Sequence, residues 1–359
     1  MRLYPFPLLV AFATSLAAQG PLATSPPLHR TRAVWFVQSD NPIGAEVGFA
    51  WQPLEWNDAA AKSWDAAPGT RIALGNDVWA ALETFTALEF GKVKVEPGSW
   101  YAMLEKTKAG VSLGLLDADK ARALQLAPGG GKLPFTVSIP LQADTVTGGS
   151  KAALDAAWEP AKDGGSATLV LTWGPHKLRA DAKVQGSEGA SPVAFPDVRG
   201  SSRVLFWKGK GNPSGERTAF AVIDHGIVAW NGERAQEASA LKTGNRWRLG
   251  KDWATTLDTN TPLVLGDKKL AAGCWHLTLG KTKDGWQLAV SSATADYKSK
   301  LDGFAAQYVS PVIEVPMQKA EASPAADKLS VAFAGEASAM QLVIAFGSER
   351  LSVPVALGK

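Results

Sequence analysis

Residues 69–113 can be laid on residues 244–288 without a gap, and 19 of the 45 positions are identical at an offset of 175. The shared set includes Gly69/Gly244, Arg71/Arg246, Gly75/Gly250, Asp77/Asp252, Thr84/Thr259, Trp100/Trp275 and the Lys-Thr-Lys at 106–108 and 281–283. A chain that repeats itself over this length is built from two like units, so any fold assigned to one must also suit the other. The match extends outward with small changes of offset. "RAVWFVQSDNPIGAEVGFA" at 32–50 answers "RVLFWKGKGNPSGERTAFA" at 203–221, Trp56 answers Trp230, and "LVLTWGPHKL" at 169–178 answers "LVIAFGSERL" at 342–351. The offset changes between blocks, so blocks read as elements and gaps as loops. Two domains are expected, at 28–188 and 199–359, each long enough to own a core, with the Gly-, Ser- and Pro-containing stretch 189–198 as linker.

Within the repeat the period is two. Leu82, Thr84, Thr86, Leu88 and Phe90 alternate with Glu83 and Glu89, which predicts one half-buried strand with the glutamates on its solvent face. Trp100, Ala102 and Leu104 share the face of a next strand. The loops "KTKAG" and "KTKDG" return the chain into a third, a hairpin signal. Helix signals are confined to 117–127 and 293–308. The fold class predicted is all-β with at most one short helix per repeat, as two homologous antiparallel β-sandwich or barrel-like domains in tandem.

The first residues, "MRLYPFPLLVAFATSLAAQG", place Arg2 before an apolar run and small residues at Ser15, Ala17 and Ala18, the pattern of a signal peptide over 1–18. The protein is therefore expected to be exported, periplasmic or extracellular, with no membrane span, since no apolar stretch reaches the roughly 20 residues a span needs. A net charge of +3, with no Lys/Arg cluster, gives no footprint for nucleic acid. Cys274 is the one cysteine, so no intrachain disulfide can form and the core must hold the fold. The 14 Trp residues suit that core first and sugar-stacking platforms second.

Signals of chemistry are sparse. The four His stand at 29, 176, 225 and 276, with no metal-ligand spacing, so neither a metal nor a cofactor is expected. Asp224 and His225 are neighbours on an expected strand and point to opposite faces, which argues against an acid/base pair and for a surface histidine. The repeated Arg71/Arg246 and Asp77/Asp252 flank a Gly turn that they would close as an ion pair, and with Trp100 and Trp275 they are read as structural. The C-terminal copy adds Arg248, two residues from Arg246. In an extended strand both guanidinium groups share a face, which makes Arg246, Arg248 and Asp252, with His276 beside them, the candidate ligand site, for an anionic or glycan partner.

"RWRLGKDWATTLD" followed by "KKLAAGCWHL" resembles a bacterial exported family catalogued as domain of unknown function 2911. The matching positions are Trp247, Arg248, Gly250, Ala254, Thr255, Thr256, Leu257, Leu270, Ala272 and Gly273. Lys251, Asp252 and Trp253 depart from the family's Ala-Asn-Glu, and Ala271 replaces its Pro. The N-terminal copy has Ala73 where Arg248 would stand. The resemblance implies a β-rich exported domain and no particular activity. The reading that follows is a soluble exported protein of two β domains, a non-catalytic binding or structural accessory of the cell envelope; the alternative is an envelope hydrolase or carbohydrate-active enzyme with an unrecognised site.

Overall fold

The Gly98–Thr107 and Gly110–Asp117 strands form the hairpin that the repeated loop predicts, and Gly273–Thr282 with Gly285–Ser292 form its counterpart, every boundary displaced by 175. The structure, a computed structural model, describes residues 22–37, 43–128, 133–145, 151–162, 164–197, 199–207, 217–299, 305–336 and 339–358; the signal peptide expected at 1–18 lies outside them. The strands pair antiparallel throughout the described residues. Among the described residues, seven strands of the C-terminal half together with Leu22–Thr24 form one sheet, and four further strands form a second. Leu257, Leu277, Leu279 and Leu288 of the first meet Leu265, Val331, Ile344 and Val353 of the second in one apolar cluster. The N-terminal half has the same two layers, joined because Val137–Thr145 pairs with Gly110–Asp117 through its first part and with His176–Val184 through its last.

The segment Leu82–Phe90, expected as one strand, is two. Ala80–Thr84 lies in one layer and Leu88–Phe90 in the other. Between them the Thr84 hydroxyl donates to the Thr86 carbonyl (2.5 Å) and accepts from the Thr86 N–H (3.2 Å). Thr259 and Thr261 repeat this at 2.8 and 3.2 Å. The side chain satisfies the backbone where the ladder is interrupted, so the repeated Thr-x-Thr marks a corner between sheets.

Among the described residues each half carries two short α-helices, one more than expected, and the C-terminal half also has a single 3-10 turn, Ala305–Gln307. Ala118–Ala123 and Ala293–Lys298 fall where the sequence places them, capped by Asp117 and Ser292. Asp58–Trp64 and Gly232–Ser239 are the additions, capped by the Asn57 and Asn231 side chains. Their Asn caps and Ala- or Glu-rich turns were the available signal.

Trp residues serve as core. Trp35, Trp51, Trp64, Trp158 and Trp173 are buried in the N-terminal cluster, and Trp56 lies edge-on to Trp173 with ring centroids 5.4 Å apart. The residues after Trp173 and Phe346 are Gly174 (φ +55°) and Gly347 (φ +51°). A Cβ on either would come within 2.2 Å of the Trp56 or Trp230 ring. Both the positive φ and the ring over the backbone require glycine, which explains why this residue is kept in both copies.

The stretch 189–198, read as a linker, holds a strand, Ser191–Asp197, paired with His29–Phe36 of the N-terminal half. In return Leu22–Thr24 pairs with Arg199–Trp207 of the C-terminal half. The registers are reciprocal. Ala23 faces Val204 and Ala194 faces Ala33, so a shift of 171 carries Ala23 to Ala194 and Ala33 to Val204. Each half lends its first strand to the other. A further apolar cluster is shared, with Leu28, Trp79, Tyr101 and Met103 from one half against Leu205, Phe220 and Val222 from the other.

Candidate functional site

The repeated Arg and Asp do not close their own turn. Arg71 Nη1 donates to the Leu133 carbonyl at 2.7 Å and its guanidinium lies 4.2 Å from the Phe135 ring centre. The turn is held by Gln52, whose Oε1 accepts from the N–H groups of Asn76 (2.5 Å) and Asp77 (2.8 Å). The Asp side chains cross to the other half. Arg203 Nη1 reaches Asp77 Oδ1 at 2.5 Å, and Arg32 Nη2 reaches Asp252 Oδ1 at 3.5 Å. Arg32 and Arg203 are themselves repeat partners, so these two pairs are mates, one the counterpart of the other across the halves.

The residues of the expected ligand grip are engaged within the protein. Arg246 and Arg248 share one short strand, with Trp247 between them turned into the core. Arg248 Nη1 donates to the Asp252 carbonyl at 3.2 Å, and burial, with the like charge of Arg32 nearby, holds its pKa below the usual guanidinium range. Asp252 and Glu46 supply the negative charge there. His276 is wholly buried, its Nδ1 2.7 Å from Asp296 Oδ2, and cannot meet a ligand from solvent. At Trp100 and Trp275 each indole N–H donates to a carbonyl of the preceding loop, Glu96 at 3.0 Å and Ala271 at 3.1 Å. Cys274 is buried, and burial raises its thiol pKa well above the usual value.

What the fold does bring together is a charged seam between the halves. Arg30 donates to Glu83 Oε2 at 2.5 Å and to Asp224 Oδ2 at 2.8 Å, and all three are buried. Arg199 donates to Asp224 Oδ1 (2.7 Å), to Asp197 Oδ2 (3.2 Å) and to the carbonyls of Trp253 and Ala254. Burial alone would raise the Asp224 pKa, but Arg199 and Arg30 outweigh it and hold the carboxyl below the usual range. At Asp197 burial wins over the same two arginines and the pKa is raised. The seam also repeats. Tyr297 donates to Glu83 at 2.8 Å, and Arg122, at the position matching Tyr297, donates to Asp258 at 2.7 Å, the position matching Glu83.

The alternation in residues 82–90 placed Glu83 on a solvent face; that face is covered by the other half, so Glu83 is buried. His225, expected at the surface, is buried as well, its ring against Gly200 of the adjacent strand. The repeated carboxylate at 83 and 258 was the one sequence signal for the seam. Arg30, Asp197 and Arg199 have no repeat partner of like charge and gave none.

Two hollows lie on the seam. One, of about 50 Å³, is closed in by Glu83, Tyr101, Asp224, Asp258 and apolar neighbours. The other is a cleft of about 580 Å³ where the two crossing segments pass, with Pro26, Leu28 and Trp51 as apolar lining and Arg30, Asp155 and Asp197 as polar lining. Among the described residues no group of His, Cys, Asp and Glu is arranged to hold a metal ion, and no helix is long and apolar enough to cross a membrane.

Residues 230–355 match the model of a family described as "Protein of unknown function (DUF2911)". The match supports that family for the C-terminal half. It begins after the Arg199–Trp207 and Arg217–Gly226 strands, so the seam residues Arg30, Glu83, Asp197, Arg199 and Asp224 all fall outside it. No curated protein and no solved structure matches the chain.

Proposed function

We propose that this is an exported protein made by duplication of one β domain, and that it works without catalysis, as a binding or structural accessory of the cell envelope. The family match to a domain of unknown function and the all-β architecture are in keeping with that reading. Duplication is supported by the reciprocal strand registers and the mated Arg–Asp pairs, which one ancestral contact, used twice, accounts for.

The observation that carries the functional reading is the engagement of the seam's charges with one another. Arg30, Arg199, Glu83 and Asp224 are buried in mutual ion pairs, an arrangement that fixes a joint between the halves. The cleft where the crossing segments meet combines apolar walls with a few polar groups, the make-up of a small-molecule site. With both signs of charge on its polar lining and an indole beside them, it suits a neutral polyhydroxylated ligand such as a glycan better than a simple anion. The test is thermal shift of the mature protein against a panel of neutral glycans and of anions. A glycan that raises the unfolding midpoint, with the rise lost in Asp155→Asn, is the expected result. Shifts from anions alone, abolished in Arg248→Ala and not in Asp155→Asn, would return the site to the Arg246–Asp252 strand.

A further inference from the structure

Equivalent positions of the two halves meet different neighbours at one place on the seam. Gly48 pairs with Arg32 and Glu83, and Val222 with Arg203 and Asp258; since Arg32/Arg203 and Glu83/Asp258 are repeat partners, the ladders make Gly48 and Val222 partners too, three residues on from the Gly48/Ala219 match of the ungapped sequence blocks. Likewise Val78 and Trp253 are partners at the offset of 175. Across the seam Trp253 lies against Gly48: a Cβ there would fall 3.0 Å from Trp253 Cζ3, 3.2 Å from Cε3 and 2.9 Å from Arg30 Nη1. On the mated side the counterparts Val78 and Val222 line the same small central hollow. The large residue of one half is thus opposite the missing side chain of the other, and two residues of middle size occupy the second position.

We infer that the contact between the halves descends from a self-complementary one and has been made heterospecific, so that the N-terminal half is a docking surface for the C-terminal half and neither half can still pair with its own kind. This rests on the duplication argued above. If two C-terminal halves met in the same way, Trp253 of one would face Val222 of the other, where Gly48 now makes room. If two N-terminal halves met, Val78 would face Gly48 and leave a void. Overpacking on one side and a cavity on the other both penalise the like pairs. Other mated positions diverge in the same sense. Tyr297 in one half replaces Arg122 of the other and donates to Glu83, and Phe85, matching Asn260, packs tilted against Trp253 at 5.1 Å between centroids. Arg30, matching Ser201, lies over the same indole at 4.7 Å.

Two measurements on the full chain decide it. In a double-mutant cycle, Gly48→Val and Trp253→Val are made singly and together, with Gly48→Ala as the gentler variant should Gly48→Val not fold. Gly48→Val, or Gly48→Ala to a smaller degree, is expected to lower the unfolding midpoint by roughly 5 °C or more. Adding Trp253→Val is expected to return part of that loss, because Val opposite Val copies the Val78/Val222 side. Additive losses would overturn the inference. In the second measurement, a protease site is inserted between Glu188 and Gly189, the chain is cut, unfolded in urea and refolded, and native mass spectrometry reads the products. Only the one-to-one pair of unlike fragments is expected; a homodimer of either fragment would overturn the inference. An experimental structure separates this from the duplication itself. Halves that superpose, with no coupling at Gly48 and Trp253, would sink the heterospecific contact alone, whereas halves that do not superpose would sink the duplication.

Discussion

His225 illustrates how one buried side chain couples the seam to pH. Its ring packs against Gly200, where a Cβ would come within 2.5 Å of Cε1, and burial, aided by the Arg199 charge, pushes its pKa from the ordinary 6.5 down to about 4. The folded protein therefore keeps this imidazole neutral where the unfolded chain protonates it. Its contribution to stability is complete above pH 6.5 and is lost as pH falls from 6.5 to about 4, with a ceiling of about 3 kcal/mol. Asp224, whose pKa is lowered, acts in a different window, losing its contribution only as pH drops below the ordinary carboxylate range. Urea unfolding at pH 7.5 and pH 4.5 should show a larger loss in the wild type than in His225→Gln, which keeps a polar side chain but does not titrate. Equal losses in the two proteins would mean that His225 does not titrate differently on folding.

At the scale of elements the exchanged strands matter most. Leu22–Thr24 supplies the outer neighbour of Arg199–Trp207 and is tied there by three residue pairs, with Arg203 Nε donating to the Thr24 hydroxyl at 3.2 Å. Without it that strand becomes a sheet edge with unpaired backbone groups. A chain truncated to start at Pro26 should fold, and hydrogen exchange should accelerate at the amides of residues 203–205 with little change in Ser166–Gly174, far across the other half. Uniform acceleration would contradict the pairing. Much at this scale was legible. Hairpins and the two helices at 118–123 and 293–298 follow from turn residues and local propensity. The split of residues 82–90 and the strand at 191–197 were not. A corner made by one Thr hydroxyl leaves the period of two intact, and a strand with Ser and two Pro reads as a linker when its pairing comes from residues more than 150 positions away. For the same reason the pairing of the candidate residues across the halves was not legible. Repetition singles out Arg71/Arg246 and Asp77/Asp252 without saying that the Asp of one copy answers the Arg32 or Arg203 position of the other.

For the molecule as a whole, the exchanged strands and the seam determine how it comes apart. Taken from the sequence, two complete sets of blocks imply two domains that unfold separately. Each half does hold an apolar cluster of its own, built from both its layers. Against that stand the strand each half lends, the shared cluster around Trp79, Tyr101 and Phe220, and three buried ionic groups, Arg30, Glu83 and Asp224, whose partners are divided between the halves. Opening the seam while both halves stayed folded would leave Glu83 with its half's Arg30 but strip Arg30 of Asp224, Tyr297 of Glu83 and Arg122 of Asp258. Uncompensated buried charges of this kind cost about 3–5 kcal/mol when one partner is removed, before the exposure of the shared apolar cluster is counted. The intermediate with one half folded and one unfolded carries the same losses on the surviving half, and lacks its outer strand too. That penalty is a large part of the 5–15 kcal/mol by which folded domains are ordinarily stable, so the intermediate should be scarcely populated. Differential scanning calorimetry of the protein without residues 1–18 is expected to give one transition whose calorimetric and van't Hoff enthalpies agree, and Arg30→Ala is expected to lower its midpoint. Two resolved transitions in the wild type, with only one of them moved by Arg30→Ala, would show instead that the halves are energetically separate and that the seam is a contact between independent domains.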